Sequence, residues 1–219
     1  MQLAKKRLKE FAKRVAFRYT SLGAPSYPYN LEPIQLAMLV TELDRLRDVR
    51  GTIVEVGVAR GMTTRFICEH LAMSKPNDIR VAVIDTFTSF KKDDLAHEVK
   101  HRGKSPDELE AFGFNDFEVW KKNFAGFPWL TAYQADCAEF DFRSIAPIKL
   151  ALLDVDLYLP TRAALRKIYQ ALAPGGVILI DDVIANSGWD GAHQAYHEFC
   201  VEHGLSPQVV GNKCGVLRK

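Results

Sequence analysis

Thr52-Ile53-Val54-Glu55-Val56-Gly57-Val58-Ala59-Arg60-Gly61-Met62-Thr63-Thr64 reads as a short apolar run, a loop with two glycines, and the opening of a helix. β-branched content and the flanking glycines predict a strand over 52–56 and a helix over 62–74. Outward from this unit the same alternation repeats. Strands are predicted at 80–84, 130–134, 149–153 and 176–180. Helices are predicted at 33–47, 160–173 and 191–202, the second of these closed by Pro174-Gly175-Gly176 as a stop signal. Two late runs, 208–210 and 215–217, read as a closing hairpin. Such alternation predicts an α/β fold, a mostly parallel sheet with helices on both faces.

The chain has 219 residues, 47% of them hydrophobic and 26% charged, the composition of a globular protein with length for one domain. Lys plus Arg at 29 against Asp plus Glu at 27 gives a net charge of +2, so no chain-wide field marks a nucleic-acid binder. That sum hides an asymmetry. Lys5, Lys6, Arg7, Lys9, Lys13, Arg14 and Arg18 against Glu10 make residues 1–19 carry +6, leaving −4 for the rest. Leu3, Leu8, Phe11, Ala12, Val15 and Tyr19 recur there at helical spacing. Such a basic amphipathic helix packs on its own domain or a twin subunit, attaches to an anionic membrane surface, or forms a lid attracting an acidic substrate. Residues 1–33 are therefore set apart as helix and linker from a main domain over 34–219. No run is long and apolar enough for a membrane span. Cys68, Cys137, Cys200 and Cys214 show no CxxC spacing, so reduced thiols and a cytoplasmic location are expected. Residues 86–129, rich in Phe and Trp, are too long for an ordinary crossover. Phe117, Trp120 and Phe124 suit an extra helix on the sheet, and the stretch as a whole suits a lid-like insertion or an oligomer contact.

The glycine loop after an acid-bearing strand lets a ligand approach the backbone, and Thr63 or Thr64 stands where free N–H groups at a helix start receive an anion. The loop is G-x-x-x-G rather than the G-x-G-x-x-G of dinucleotide folds, which lowers the NAD reading. Asp85 ends the second strand, where a carboxylate accepts both hydroxyls of a ribose, and Asp136 follows the third, placed for an adenine edge. Further on, Asp154-Val155-Asp156 and Asp181-Asp182 end adjacent strands. Carboxylates that close raise each other's pKa unless a cation lies among them, and oxygen ligands suit a hard ion, Mg²⁺ or Mn²⁺.

The combination of Glu55-Val56-Gly57-Val58-Ala59-Arg60-Gly61, Asp85-Thr86-Phe87, Asp154-Val155-Asp156-Leu157-Tyr158-Leu159-Pro160-Thr161 and Pro174-Gly175-Gly176-Val177-Ile178-Leu179-Ile180-Asp181-Asp182 resembles the macrocin O-methyltransferase (TylF-type) family of S-adenosylmethionine-dependent enzymes. The resemblance covers roughly residues 50–219. It implies a Rossmann-like three-layer sandwich whose seven-stranded sheet ends in an antiparallel strand. It also implies a divalent metal on Asp154, Asp181 and Asp182, with Asp156 supporting the site. Glu55, Gly57, Gly61, Asp85 and Asp136 would hold the cofactor, together with Arg60, Thr63 and Thr86 of the same motifs. The acceptor would be a hydroxyl of a small molecule, typically a sugar on a natural product. Related catechol-type enzymes carry a lysine base three positions after the first metal aspartate, where this chain has Leu157. Asp154 is then the leading candidate for the base, and His193 the second. A homo-oligomer is expected.

Two readings of other classes compete. Asp154-Val155-Asp156 is also a D-x-D motif, by which many glycosyltransferases hold a metal and a nucleotide sugar. A non-catalytic scaffold is the third reading, opposed by the acid doublets, since an unused carboxylate cluster only destabilises.

Overall fold

The structure is a computed structural model that describes residues 2–76 and 78–219. The chain divides into two compact units, one reaching to Asn30 and the other Leu31–Lys219. In the first, helix α1 (Gln2–Tyr19) buries none of its residues. A single turn of 3₁₀ helix, Ser21–Gly23, follows it.

The second unit is built on seven strands: β1 (Thr52–Val56), β2 (Val81–Asp85), β3 (Leu130–Gln134), β4 (Ile148–Leu153), β5 (Leu172–Ile180), β6 (Val209–Val210) and β7 (Cys214–Arg218). They lie in one sheet in the order β3-β2-β1-β4-β5-β7-β6. The first five run parallel, while β7 is antiparallel to both β5 and β6. The seven-stranded sheet with an antiparallel end is as expected. The helices are α2 (Pro33–Arg45), α3 (Met62–Ser74), α4 (Lys92–Arg102), α5 (Phe117–Asn123), α6 (Tyr158–Ala171) and α7 (Gly191–Glu202).

Side-chain alternation along the strands sorts these elements into layers. Val54 and Val56 of β1, with Ala151 and Leu153 of β4, share a cluster with Ala164, Leu165 and Ile168 of α6 and Tyr196 and Phe199 of α7. Successive strand residues point to opposite faces. Glu55 accordingly faces the other way, to α3, whose buried residues Thr64, Ile67, Cys68 and Leu71 recur at helical spacing. On that face Val83 meets Phe87, Trp120 and Phe124, so the aromatic residues around 117–124 do form the extra helix, α5. The four cysteines are buried and unbridged.

Pro174-Gly175-Gly176 departs from its expected place. Helix α6 ends at Ala171, and the triplet lies inside β5, not between helix and strand. Between Ile148↔Leu172 and Leu150↔Val177 the pairing register jumps, which makes room for Gly175 at φ +76°. Pro174 can sit there because a bulge leaves backbone N–H groups out of the ladder.

Two glycines with positive φ give a controlled test of close packing. Gly57 (φ +81°) has the Asp154 carbonyl oxygen 1.7 Å from where a Cβ would lie, while Gly103 (φ +68°) has nothing within 4 Å. Gly103→Ala is expected to cost about 1 kcal/mol for its left-handed backbone alone. Gly57→Ala must also push β1 and β4 apart and is expected to cost more than ~4 kcal/mol. Urea unfolding of the two variants compares them directly.

Candidate active site

From β1 the chain steps outward through β2 to β3 on one side, and from β4 to β5 on the other. The order therefore reverses between β1 and β4, and ligands of open α/β sheets bind outside the carboxyl ends of strands at such a point. Both motif groups lie there. The Asp154 N–H donates to Val56 O at 2.8 Å, so the glycine loop and the first acid doublet start from one hydrogen-bonded pair of strand ends. After each of β1, β2, β4 and β5 the chain turns through a left-handed residue: Ala59 (φ 43°), Phe87 (53°), Asp156 (61°) and Asp182 (57°). Aspartate tolerates that region better than most side chains, and backbone strain of this kind collects at functional sites.

On the glycine-loop side, Asp85 is the organiser. Its Oδ2 accepts the N–H groups of Val58 (2.7 Å) and Ala59 (3.3 Å), and its Oδ1 accepts that of Phe87 (2.6 Å). Oδ1, with a single hydrogen bond, keeps a further lone pair for a hydroxyl. Asn115 Nδ2 donates to Ala59 O at 2.8 Å, pinning the loop from the insertion. Gly61 lies under two rings of α5: a Cβ there would meet Phe124 Cζ at 2.6 Å and Trp120 Nε1 at 2.9 Å. That indole N–H is buried and has no hydrogen-bond partner among the described residues, so a donor faces the loop unspent. Arg60 is exposed, Thr63 is half-buried in the first turn of α3, and Thr86 Oγ1 donates to Ser89 O. Asp136 accepts the Ala138 N–H at 2.8 Å and pairs with Lys91 at 2.6 Å. Glu55 is 2% exposed. Burial pushes its carboxyl up to about 8 even though Thr64 Oγ1 donates to it at 2.6 Å.

On the acid side, Asp154, Asp156 and Asp182 offer carboxylate oxygens within 4.8 Å of one another. Burial, then repulsion from Asp181, Asp156 and Asp182, holds Asp154 well above the usual carboxylate range. Asp156 is raised likewise, by burial and by its contact with Asp182. Asp181 stands differently from the expectation that it completes the ligand set with Asp154 and Asp182. Its Oδ1 accepts Gln35 Nε2 at 2.8 Å and its Oδ2 accepts Lys213 Nζ at 2.9 Å. Asp181 is thus held by partners distant in sequence, while Asp156 and Asp182, each at a left-handed turn, lie with Asp154.

Gln35 and Lys213 were not legible as site residues. Gln35 closes the capping box of α2, its Oε1 accepting the Glu32 N–H at 2.7 Å, and so presents its amide to Asp181. Lys213 arrives through the antiparallel pairing of β7 with β5, where Val183 N donates to Lys213 O. Its ammonium also lies 2.9 Å from Asp182. The two aspartates outweigh burial and raise its pKa.

The insertion is tied to both acid-bearing loops. Glu98 of α4, 2% exposed, accepts the Tyr158 N–H that follows Asp156. Arg102 and Lys104 pair with Asp190, beyond Asp182, at 2.6 and 2.8 Å. Phe90 packs on Phe112 and on Trp189. His193 rests against His197, and burial followed by that neighbour lowers its pKa. Asp190 and Arg102 act on it as well, in opposite directions.

Comparison with solved structures gives the fold. The O-methyltransferase NovP superposes with a TM-score of 0.72 at 16% identity, over 94% of this chain and 88% of that one. CalS11, a calicheamicin methyltransferase, does so at 0.66 and 18%, over 98% and 92%. Its apo structure is described as a TDP-rhamnose 3′-O-methyltransferase. SMU.1697c from Streptococcus mutans, in complex with S-adenosylhomocysteine, reaches 0.52 at 14%, over 86% and 97%. The fold is thus the Rossmann-like methyltransferase fold. No curated protein sequence matches the chain. The profile of the macrocin O-methyltransferase (TylF) family matches residues 34–214, and the chain belongs to that family. It is an S-adenosylmethionine-dependent O-methyltransferase, and the nucleotide-sugar transferase reading of Asp154-Val155-Asp156 gains no support.

The raised carboxyl of Glu55 has a measurable sign. Folding favours its protonated form, so its contribution to stability is full below the unfolded pKa near 4.5 and is lost as pH rises through about 8. Glu55→Gln keeps an acceptor for Thr64 and removes the titration. Between pH 5 and 9 the wild type is expected to lose a few kcal/mol relative to this variant in urea unfolding.

Proposed function

We propose that this enzyme methylates a hydroxyl of a small molecule, a sugar of a natural product, with Mg²⁺ or Mn²⁺ among its aspartates. The observation that carries the reading is the junction at Gly57 and Asp154, which puts the glycine loop and the carboxylate cluster on one pair of strand ends. Similarity to CalS11, a TDP-rhamnose 3′-O-methyltransferase, supports the sugar class.

The residues fit both groups. On one side, a loop that only glycine can occupy at Gly57 and Gly61 stands beside the unpartnered Trp120 indole, a cradle for the cofactor's amino-acid end. Glu55, Arg60, Thr63, Asp85, Thr86 and Asp136 complete it along the strand ends. On the other side, an all-oxygen donor set at Asp154, Asp156 and Asp182 suits a hard divalent ion. Asp181 lends its charge from beside them while Gln35 and Lys213 hold it.

When bound, S-adenosylmethionine supplies an electrophilic sulfonium methyl, and a divalent cation lowers the pKa of a nearby hydroxyl. The chain supplies the rest. Asp154, at the junction, takes the proton from the acceptor hydroxyl as its oxygen forms a bond to the methyl carbon and the carbon–sulfur bond breaks, leaving S-adenosylhomocysteine. His193 is the second candidate for this role. The Asp85-braced loop fixes one reactant against the other, and such positioning supplies much of the rate. Residues 86–129 act as the lid: Glu98, Arg102 and Lys104 hold α4 to both acid loops, and Phe90, Phe112 and Trp189 exclude water.

Asp154→Asn and Asp182→Asn are expected to lower methyl transfer at least 10³-fold, with S-adenosylhomocysteine affinity in calorimetry nearly unchanged. Labelled-methyl transfer to a panel of nucleoside-diphosphate deoxysugars measures the first effect. Undiminished turnover in EDTA would remove the metal from the scheme. Lys213→Met should destabilise the metal-free protein by about 2–3 kcal/mol by leaving Asp181 and Asp182 unpaired, and millimolar Mg²⁺ should restore part of the loss in a thermal melt.

A further inference from the structure

Helix α1 lies outside the reading above. At 100° per residue, Ala4, Leu8, Phe11, Ala12, Val15 and Tyr19 fall within an arc of about 100°. Arg7, Arg14 and Arg18 line one margin of that stripe, and Lys5, Lys9 and Lys13 the other; Leu3 and Phe17 fall outside it. Nothing within its own unit covers the stripe among the described residues: Leu8 is 69% exposed, Phe11 61% and Tyr19 75%. Glu10, the only acid, is neutralised by Lys13 at 3.0 Å.

We propose that α1 lays the enzyme on an anionic phospholipid surface, apolar stripe inward and both basic margins in the headgroups. The occupant must be apolar and anionic at once. A nucleic acid presents no apolar layer, and a second copy of α1 brings another +6 that repels the first. A lipid leaflet satisfies both demands, since lysine and arginine stems follow the apolar stripe down while their charges stay with the phosphates. The remaining −4 of the chain makes α1 the segment that draws the protein to such a surface. No described helix is long and apolar enough to cross a membrane, so α1 lies on the surface rather than spanning it.

The test is flotation of the full chain with phosphatidylcholine vesicles containing about a quarter phosphatidylglycerol, against pure phosphatidylcholine. Binding is expected to the first only, and to fall as salt rises from about 0.1 to 1 M, where the Debye length shrinks from about 10 to 3 Å. Lys5→Gln, Lys9→Gln and Lys13→Gln together should weaken partitioning on the order of 100-fold. The pair Leu8→Ser and Phe11→Ser should weaken it roughly tenfold or more. Both variants should keep the wild-type circular dichroism of the main domain and its turnover of a soluble acceptor. Absent or lipid-independent flotation overturns the proposal, as does a dimer by light scattering that Leu8→Ser and Phe11→Ser dissolve. A loss of soluble turnover in either variant also overturns it, marking α1 as a lid. Flotation needs no methyl transfer, so its outcome is independent of the chemistry proposed above.

Discussion

Where β1 and β4 leave the sheet, the backbones run so close that a side chain at Gly57 would occupy the Asp154 carbonyl oxygen. This contact constrains everything around it. It places a loop suited to the backbone approach of a ligand against the first acid of a carboxylate cluster, through the parallel pairing of β1 with β4. Parallel strands make it available, because their carboxyl ends all open on one rim. The remaining contacts of the site refine a geometry the sheet already imposes: Asp85 ties β2 to the loop, Asn115 holds the loop from outside, and Glu98 secures the turn after Asp156.

Electrostatics is the second constraint. Four aspartates at two neighbouring strand ends repel, and burial amplifies the repulsion in Asp154 and Asp156. The fold relieves it unevenly. Gln35 and Lys213 compensate Asp181, whereas Asp154 and Asp156 receive no such side-chain donor among the described hydrogen bonds. The imbalance makes chemical sense for a methyltransferase of this family. Carboxylates fully satisfied by protein donors are inert, and those left in excess attract a cation or a proton.

The strand–loop–helix unit at 52–74 was legible because a β-branched apolar run gives way at the glycines to a helical pattern, a local property. The acid doublets and the closing hairpin were legible for the same reason. What escaped is what depends on distant pairing. Lys213 reaches Asp181 only because β7 runs antiparallel to β5, and Gln35 only because the cap of α2 aims it there. Pro174-Gly175-Gly176 looked like punctuation between elements and proved to be a bulge within one, since a turn signal and a bulge share residue types. The division of the four aspartates escaped as well, because it depends on the left-handed turns at Asp156 and Asp182 and on the distant partners of Asp181.

The left-handed turns at Asp156 and Asp182 have a consequence for how this chain can change. Few residues sit there without strain: glycine, asparagine and aspartate. Of these three, aspartate alone carries a charge. A single base change in an aspartate codon yields asparagine or glycine, and either would leave the backbone turn intact. At these two positions the folded protein and the charged one are therefore separable by one nucleotide. A lineage could keep the fold and its cofactor loop while losing the carboxylate cluster.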